Sequence, residues 1–196
     1  PIDDDLVACR AAGVDAVYAP TSATMYPPGF QTHVVPGDLA ERLEGPMRPG
    51  HFRGVTTVVT KLFTATAADV AVFGQKDFQQ LAIIRRMVAD LDLGVEIVGH
   101  PTVREPDGLA RSSRNARLTP DDRAVAVVIA HALSRVVTRY DDGERDATTL
   151  RALAVDTIDA EPRASLEYVE VVDAATLIAI EQVDAPAVVL AAAWFG

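Results

Sequence analysis

One stretch of about thirty residues constrains the fold more than any other part of the chain. Val70 to Phe73 is a short apolar run of strand length, Gly74 ends it, and a helical pattern continues to about Asp92. Gly94 then interrupts the helix, and Val95 to Val98 is a second run of strand type. Two strands joined through one helix normally pair in parallel with a right-handed crossover. The stretch therefore predicts an α/β protein with a parallel sheet.

The residues before this unit extend the same alternation. Val14 to Ala19 is predicted to be a strand, and a helix is predicted from about Val55 to Ala68 after a glycine- and proline-rich loop at 45–55. Up to Val98 the pattern is strand, loop, helix, strand, helix, strand. Three strands make a small sheet with an exposed edge, which suggests that neighbouring strands are missing.

The second half of the chain has a different character. A polar loop at 101–118 leads to Thr119 and Pro120, a strong helix start, and the helix is predicted to run to about Tyr140. A second helix and two strands are predicted after it, at Asp146–Ala160, Ser165–Val172 and Pro186–Phe195. We expect two domains, residues 1–102 with the parallel sheet and a small α+β unit at 103–196, divided near Thr102.

Composition excludes several classes of protein. The chain has 28 acidic and 18 basic residues, a formal net charge of −10, and no basic face of the kind that binds nucleic acid. Cys9 is the only cysteine, which excludes an intramolecular disulfide and favours a reducing compartment. No apolar run reaches the ~18 residues that span a bilayer, and no signal-peptide pattern opens the chain. We expect a cytoplasmic protein with neither nucleic-acid nor membrane partners.

The turn from Gly74 to Gln80 is the first candidate ligand site. Ligands of open α/β sheets bind at the carboxyl ends of the strands, and a helix start offers free N–H groups to phosphate. Lys76, one of only two lysines, adds a compact positive charge, and Asp77 is placed to cap the helix. The alternative is structural, because strand–glycine–helix turns are common and an aspartate there is usually only a cap.

Two basic loops are further candidates. The loop at 45–55 carries Arg48, His51 and Arg53 ahead of a helix start, although a lone histidine is more often structural than catalytic. The loop at 101–118 carries Ser112 and Ser113 among four arginines. Hydroxyl and guanidinium groups bind phosphate well, but a solvated interdomain linker is an equally good interpretation of this loop.

Four stretches in order resemble the pantothenate synthetases, or pantoate–β-alanine ligases. They are YPPGF at 26–30, HFRGVTTVVTKLF at 51–63, VFGQKDFQQLAIIRRMV at 72–88 and PTVREPDGLARSSRNARL at 101–118. The resemblance covers essentially the whole chain and is weakest after Leu118. It implies a Rossmann-like nucleotide-binding domain similar to that of class I aminoacyl-tRNA synthetases, here only its second half. It also implies an ATP- and Mg²⁺-dependent ligase that forms a pantoyl adenylate, which β-alanine converts to pantothenate and AMP. A homodimer is implied as well.

The resemblance also implies roles for particular residues. Nucleotide binding is implied for Gly74, Gln75, Lys76, Asp77, Val103, Arg111, Ser112, Ser113 and Arg114. Among these, Lys76, Ser112, Ser113 and Arg114 are expected to stabilise the charge that adenylation builds on the phosphates. Gln80 is implied to hold pantoate, with His51 and Arg48 near the substrate. The metal ligands stay unknown.

Three departures from the family pattern bear on these expectations. The family's amino-terminal histidine–any–glycine–histidine and asparagine–proline–any–glutamine–phenylalanine motifs are not found, so the chain is expected to lack its amino-terminal part and most activity. The family usually has methionine where Arg111 stands, which puts the role of Arg111 in doubt. The family also continues past a final arginine-containing strand, whereas this chain stops at Gly196, so it is expected to be cut at both ends. Two alternatives stay open: a nucleotidylyltransferase that acts on another acid, and a nucleotide-binding fragment inactive on its own.

Overall fold

A computed structural model describes residues 2–196 and contains eight α-helices and four β-strands in that range. The helices are α1 (Ile2–Ala11), α2 (Ser22–Met25), α3 (Glu44–Met47), α4 (His51–Thr66), α5 (Phe78–Asp90), α6 (Pro120–Val125), α7 (Val128–Asp141) and α8 (Ala147–Asp159). The strands are β1 (Val70–Gly74), β2 (Glu96–His100), β3 (Ala164–Asp173) and β4 (Ala187–Phe195). Short 3₁₀ turns lie at Asp38–Glu41, Gln75–Asp77 and Ser113–Arg117. Within the described range, no helix is long and apolar enough to cross a membrane.

Strands β1 and β2 pair in parallel, as the central stretch predicted. The register aligns Val70 with Glu96 and Gly74 with His100, so both strands end at the same edge. Helices α4 and α5 cover one face of this pair, and their apolar side chains form a core with Val95. That core consists of Val59, Phe63, Ile84, Met87 and Val95, with Ala71, Phe73 and Ile97 packed against it.

The second half forms a separate layer of helices on an antiparallel sheet. Strand β3 pairs with β4 from Ala164–Phe195 to Asp173–Ala187, with an irregularity between Leu166 and Tyr168. Helices α7 and α8 pack on this pair through fully buried residues that include Ala132, Ala154, Ile158 and Val169. The α/β fold class is therefore confirmed. The division at residue 102 stays a prediction, supported by two cores that share no residue.

The predicted strand at Val14–Ala19 is wrong. These residues have no regular secondary structure, and Val14, Val17 and Tyr18 are about half exposed. A strand is defined by backbone pairing, and among residues 2–196 no strand lies beside this segment to accept its hydrogen bonds. The parallel sheet in the described range consequently has two strands where three were predicted.

Two predicted helices differ in their bounds. The helix predicted from Val55 begins at His51, with Gly50 as its amino-terminal flanking residue, so His51 lies on a helix and not in the loop. The helix predicted from Pro120 to Tyr140 is interrupted at Ala126 and Val127, where α6 ends and α7 begins. Its start is confirmed, because the Thr119 hydroxyl accepts from the Asp122 N–H at 3.2 Å.

Candidate functional site

The turn after β1 lies at the edge where both parallel strands end. Gly74 is the last residue of β1, and Gln75–Asp77 form a 3₁₀ turn that leads into α5. Opposite, Gly99 of β2 leaves room for neighbouring side chains, because a Cβ there would lie 2.8 Å from Nη2 of Arg85 and 3.5 Å from Nε2 of Gln75. This close approach places the Gln75 side chain beside β2, so the turn packs against both strands.

Lys76 and Asp77 face each other at this turn. The Lys76 ammonium lies 3.4 Å from Oδ1 of Asp77, and both side chains are partly exposed. The predicted capping bond is wrong: Asp77 precedes α5, but its carboxylate accepts no helix N–H. A carboxylate that is not used as a cap is available to a ligand, and Lys76 supplies a mobile point charge beside it.

Two adjacent glutamines on α5 have different environments. Gln79 is buried, donates from Nε2 to the carbonyls of Leu39 at 2.8 Å and Arg42 at 2.7 Å, and accepts from the N–H of Glu44 at 3.1 Å. Gln80, the predicted substrate ligand, is partly exposed. Sequence reasoning missed the structural role of Gln79. The only available signal was its helical spacing, because Gln79 lies four residues before Ile83 on the buried face of α5.

His51 lies where the charges of several segments meet. Burial lowers the pKa of the His51 imidazole below 6.5, and the charge of Arg48 lowers it further, whereas Glu44 raises it. Weaker effects come from Arg114, which lowers the pKa, and from Asp77, which raises it. The charges of Asp77 in the turn and Arg114 in the serine–arginine loop therefore both affect the pKa of this imidazole. Arg48 also pairs with Glu44 at 3.3 Å.

The serine–arginine loop borders an open cavity of about 500 Å³. The cavity is lined by Glu105, Arg111, Ser112, Ser113, Asn115 and Arg123. The 3₁₀ turn that follows is capped by Ser112, whose hydroxyl accepts from the Arg114 N–H at 3.2 Å. Lys76, Gln80, Arg48 and His51 do not line this cavity. The effect of the Arg114 charge on the pKa of His51 is what links this loop to the turn and to the Glu44 segment.

Val103 and Arg111 are the two ends of a short hairpin that leads into the loop. The Arg111 N–H donates to the Val103 carbonyl at 2.8 Å, and the guanidinium of Arg111 pairs with Glu105. Glu105, Asn115 and Arg123 were not predicted as part of the site. The one sequence signal for the Glu105–Arg111 pair was the presence of an acidic residue six positions before this arginine.

A tyrosine from the second unit reaches the same region. Burial raises the pKa of Tyr168 well above its usual value, and the charges of Glu44, Glu167 and Asp77 add to this effect. Tyr168 follows the irregularity in β3, the kind of feature that redirects side chains near functional sites. The charges of Glu44 and Asp77 thus affect the pKa of Tyr168 as well as that of His51.

Comparison with solved structures defines the class of this fold. Pantothenate synthetase from Thermus thermophilus superposes with a TM-score of 0.96 at 41% identity, over 100% of this chain and 71% of that chain. A pantoate–β-alanine ligase from Francisella tularensis, complexed with β,γ-ATP and β-alanine, gives 0.70 at 32% identity, over 87% and 61%. The fold is thus of the class I nucleotidyltransferase type.

Sequence comparison then gives the family. The model for pantoate–β-alanine ligases matches residues 1–196. Pantothenate synthetase from Geotalea uraniireducens is 51% identical over 183 residues, which are 93% of this chain and 65% of that protein. This chain belongs to the pantoate–β-alanine ligase family, and it spans about two thirds of the length of these relatives.

Proposed function

We propose that the full-length protein containing this chain joins pantoate to β-alanine at the expense of ATP. In the first step a pantoate carboxylate oxygen attacks the α-phosphorus, which forms pantoyl adenylate and releases pyrophosphate. In the second step the amine of β-alanine attacks the acyl carbon, which gives pantothenate and AMP. The family supports this reaction, and so does the named complex of the Francisella relative with β,γ-ATP and β-alanine.

The observation that carries the proposal is the match of the whole chain to the pantoate–β-alanine ligase family, together with the cation Lys76 in the turn at the carboxyl end of β1. Adenylation builds negative charge on the α-phosphate and on the departing pyrophosphate. A cation from the turn and another from the serine–arginine loop would stabilise that charge. We assign this role to Lys76 and Arg114, with hydrogen bonds from the hydroxyls of Ser112 and Ser113. Gly74, Gln75, Asp77, Val103 and Arg111 complete the proposed nucleotide site.

The acid substrates would lie on the other side of the turn. Gln80 projects from the first turn of α5 and is partly exposed, so its amide is free to bind a hydroxyl or carboxylate of pantoate. Arg48 and His51 are the other proposed substrate ligands, and the lowered pKa of His51 favours the neutral form of its imidazole. A neutral imidazole both donates and accepts hydrogen bonds, which suits a site where charged and hydroxyl groups meet.

Mg²⁺ would bind at this site together with ATP and not on its own. Among residues 2–196, no three histidine, cysteine, aspartate or glutamate side chains gather in a metal-binding group. Mg²⁺ commonly binds through one or two carboxylates together with substrate phosphates. Asp77 is the carboxylate placed to do this, and the ion would neutralise phosphate charge. A homodimer in the cytoplasm completes the proposal, and light scattering on the purified protein would test the dimer.

The test is pantoate-dependent release of AMP by the full-length protein. Lys76→Ala should lower the rate by roughly 30- to 1000-fold, because a lost transition-state charge contact costs about 2–4 kcal/mol. Lys61→Ala, which removes the only other lysine, is the matched control and should stay near wild type. Activity of Lys76→Ala within a few-fold of wild type would refute the assigned role, and release of AMP with other acids but not pantoate would refute the substrate.

A further inference from the structure

The residues just before the serine–arginine loop form a tight hairpin from Val103 to Arg111. Its arms are joined by Arg111 N–H to Val103 carbonyl at 2.8 Å and Glu105 N–H to Leu109 carbonyl at 2.7 Å. Gly108 turns the chain with φ of +95°, a conformation that favours glycine. The hairpin ends where the loop begins, so its geometry sets the direction in which Ser112 to Arg114 leave.

Glu105 and Arg111 face each other across this hairpin. Two donors of the guanidinium are engaged by the one carboxylate, Nη2 to Oε2 at 3.2 Å and Nε to Oε1 at 3.2 Å. This is the two-point geometry in which a planar guanidinium fixes the orientation as well as the distance of a carboxylate. The two arms of the hairpin are therefore joined at its base by this side-chain pair as well as by the backbone hydrogen bonds.

Two further contacts tie the hairpin to its surroundings. Arg123 of α6 donates to Oδ2 of Asp107 at 2.7 Å, and Nδ2 of Asn115 donates to the Ala110 carbonyl at 2.9 Å. The hairpin is thus held at its tip by α6 and at its end by the 3₁₀ turn that carries Arg114. Among these side-chain contacts, the Glu105–Arg111 pair is the one nearest to Ser112, where the serine loop starts.

The location of Glu105 in the cavity requires an explanation. A carboxylate repels the phosphates that the cavity is proposed to bind, and it neutralises the nearest arginine. If Arg111 acted as a direct phosphate ligand, Glu105 would compete with the nucleotide for it. If the pair acts as a clip, the carboxylate is needed, because without it the Arg111 guanidinium loses its partner and the hairpin loses the side-chain contact across its two arms.

We propose that Glu105 is a positioning residue that acts through Arg111: the two side chains clip the 103–111 hairpin and so aim Ser112, Ser113 and Arg114 at the phosphates of ATP. The proposal rests on the proposed function, because it assumes that the loop binds the nucleotide. It assigns Arg111 an indirect part in nucleotide binding, through the geometry of the loop.

The two possible roles of Arg111, direct ligand and clip, predict opposite effects of Glu105→Gln on the affinity for ATP. As a clip, Glu105→Gln and Arg111→Gln should each weaken ATP binding by about two- to fivefold, the range of a partly exposed ion pair. The double variant should be no weaker than either single one, since both remove the same contact. As a direct ligand, Arg111→Gln would weaken ATP binding while Glu105→Gln would strengthen it.

The experiment measures the dissociation constant of ATP and the KM for ATP with the full-length protein. It compares wild type with both single variants, the double variant and a charge-exchange variant that combines Glu105→Arg with Arg111→Glu. The exchange should restore binding to within about twofold of wild type, since it restores the pair. Arg86→Gln and Asp90→Asn, which remove an exposed ion pair on α5, are the matched controls and should bind ATP as wild type does. Melting temperatures of all variants should stay near wild type.

The outcomes separate the two proposals. The clip would be overturned if Glu105→Gln bound ATP more tightly than wild type, or if neither single variant lost affinity. It would also be overturned if the losses added up in the double variant, or if the charge exchange failed to restore binding. If the wild-type protein binds ATP but releases no AMP with pantoate, the proposed function fails, and the binding constants still decide the role of Glu105. A wild-type protein that binds no ATP would overturn both.

Discussion

Gln79→Ala is the substitution whose effect the structure defines most clearly. The side chain lies within α5 at 5% exposure and makes three hydrogen bonds to the segment from Leu39 to Glu44. That segment leads directly to Arg48 and His51. Gln79 therefore joins the helix that follows the Lys76 turn to the chain that carries the other charged residues of the site.

The expected loss of stability follows from these three bonds. A neutral hydrogen bond contributes about 1 kcal/mol net, and its loss leaves the carbonyls of Leu39 and Arg42 and the N–H of Glu44 without their side-chain partner. Alanine recovers a few tenths of a kcal/mol through its higher helix propensity. We expect the free energy of unfolding to fall by about 2–4 kcal/mol.

Urea unfolding followed by circular dichroism measures this loss, with Gln80→Ala as the control. The neighbouring glutamine is partly exposed and is proposed to bind substrate, so Gln80→Ala should unfold within about 0.5 kcal/mol of wild type. It should instead raise the KM for pantoate. A Gln79→Ala protein as stable as wild type would refute the structural role of Gln79, and equal destabilisation by both variants would refute the division of roles between them.

Two further predictions concern titrating groups. The nuclear magnetic resonance titration of His51 should give a pKa below 6.5, and Arg114→Gln should raise it, because one of the charges that lower it is removed; an unchanged value would place the serine–arginine loop away from His51. Since the folded protein disfavours the protonated imidazole, stability should fall as pH decreases through 6.5. Asp122→Asn should lower the urea midpoint at pH 7, because the Asp122 pKa is held below 3.8 by the Thr119 hydroxyl and then by Arg163. That difference should shrink as pH falls below 3.8, because the Asp122 carboxyl of the unfolded chain is then protonated while the native carboxylate, with its lowered pKa, is still ionised.

Local patterns in the sequence predicted the helices and strands whose pairing and capping depend on residues close to them in the chain. The β1–α5–β2 unit, the Thr119 cap and the strands β3 and β4 were all visible because apolar periodicity and turn residues agree there. Val14 to Ala19 has equally good strand composition and is irregular. A strand depends on a neighbour that the sequence of the segment itself does not reveal, so composition alone led to the wrong result.

The sequence pointed to the cations and to Asp77 of the candidate site, but not to the side chains that hold the surrounding chain in place. Lys76, Arg111 and Arg114 drew attention because phosphate chemistry requires positive charge. Glu105, by contrast, became recognisable only when the hairpin brought it to Arg111, and Gln79 only when its carbonyl partners were seen. Side chains that hold other side chains act through contacts distant in sequence, and residue type and spacing carry little information about such contacts.

The most direct test is a crystal structure of the full-length protein with a non-hydrolysable ATP analogue. We expect one triphosphate held between the Lys76 ammonium and the Ser112–Arg114 segment, with hydrogen-bonding distances of about 2.7–3.2 Å from both. A triphosphate bound by only one of these two segments, with the other turned toward solvent, would contradict it.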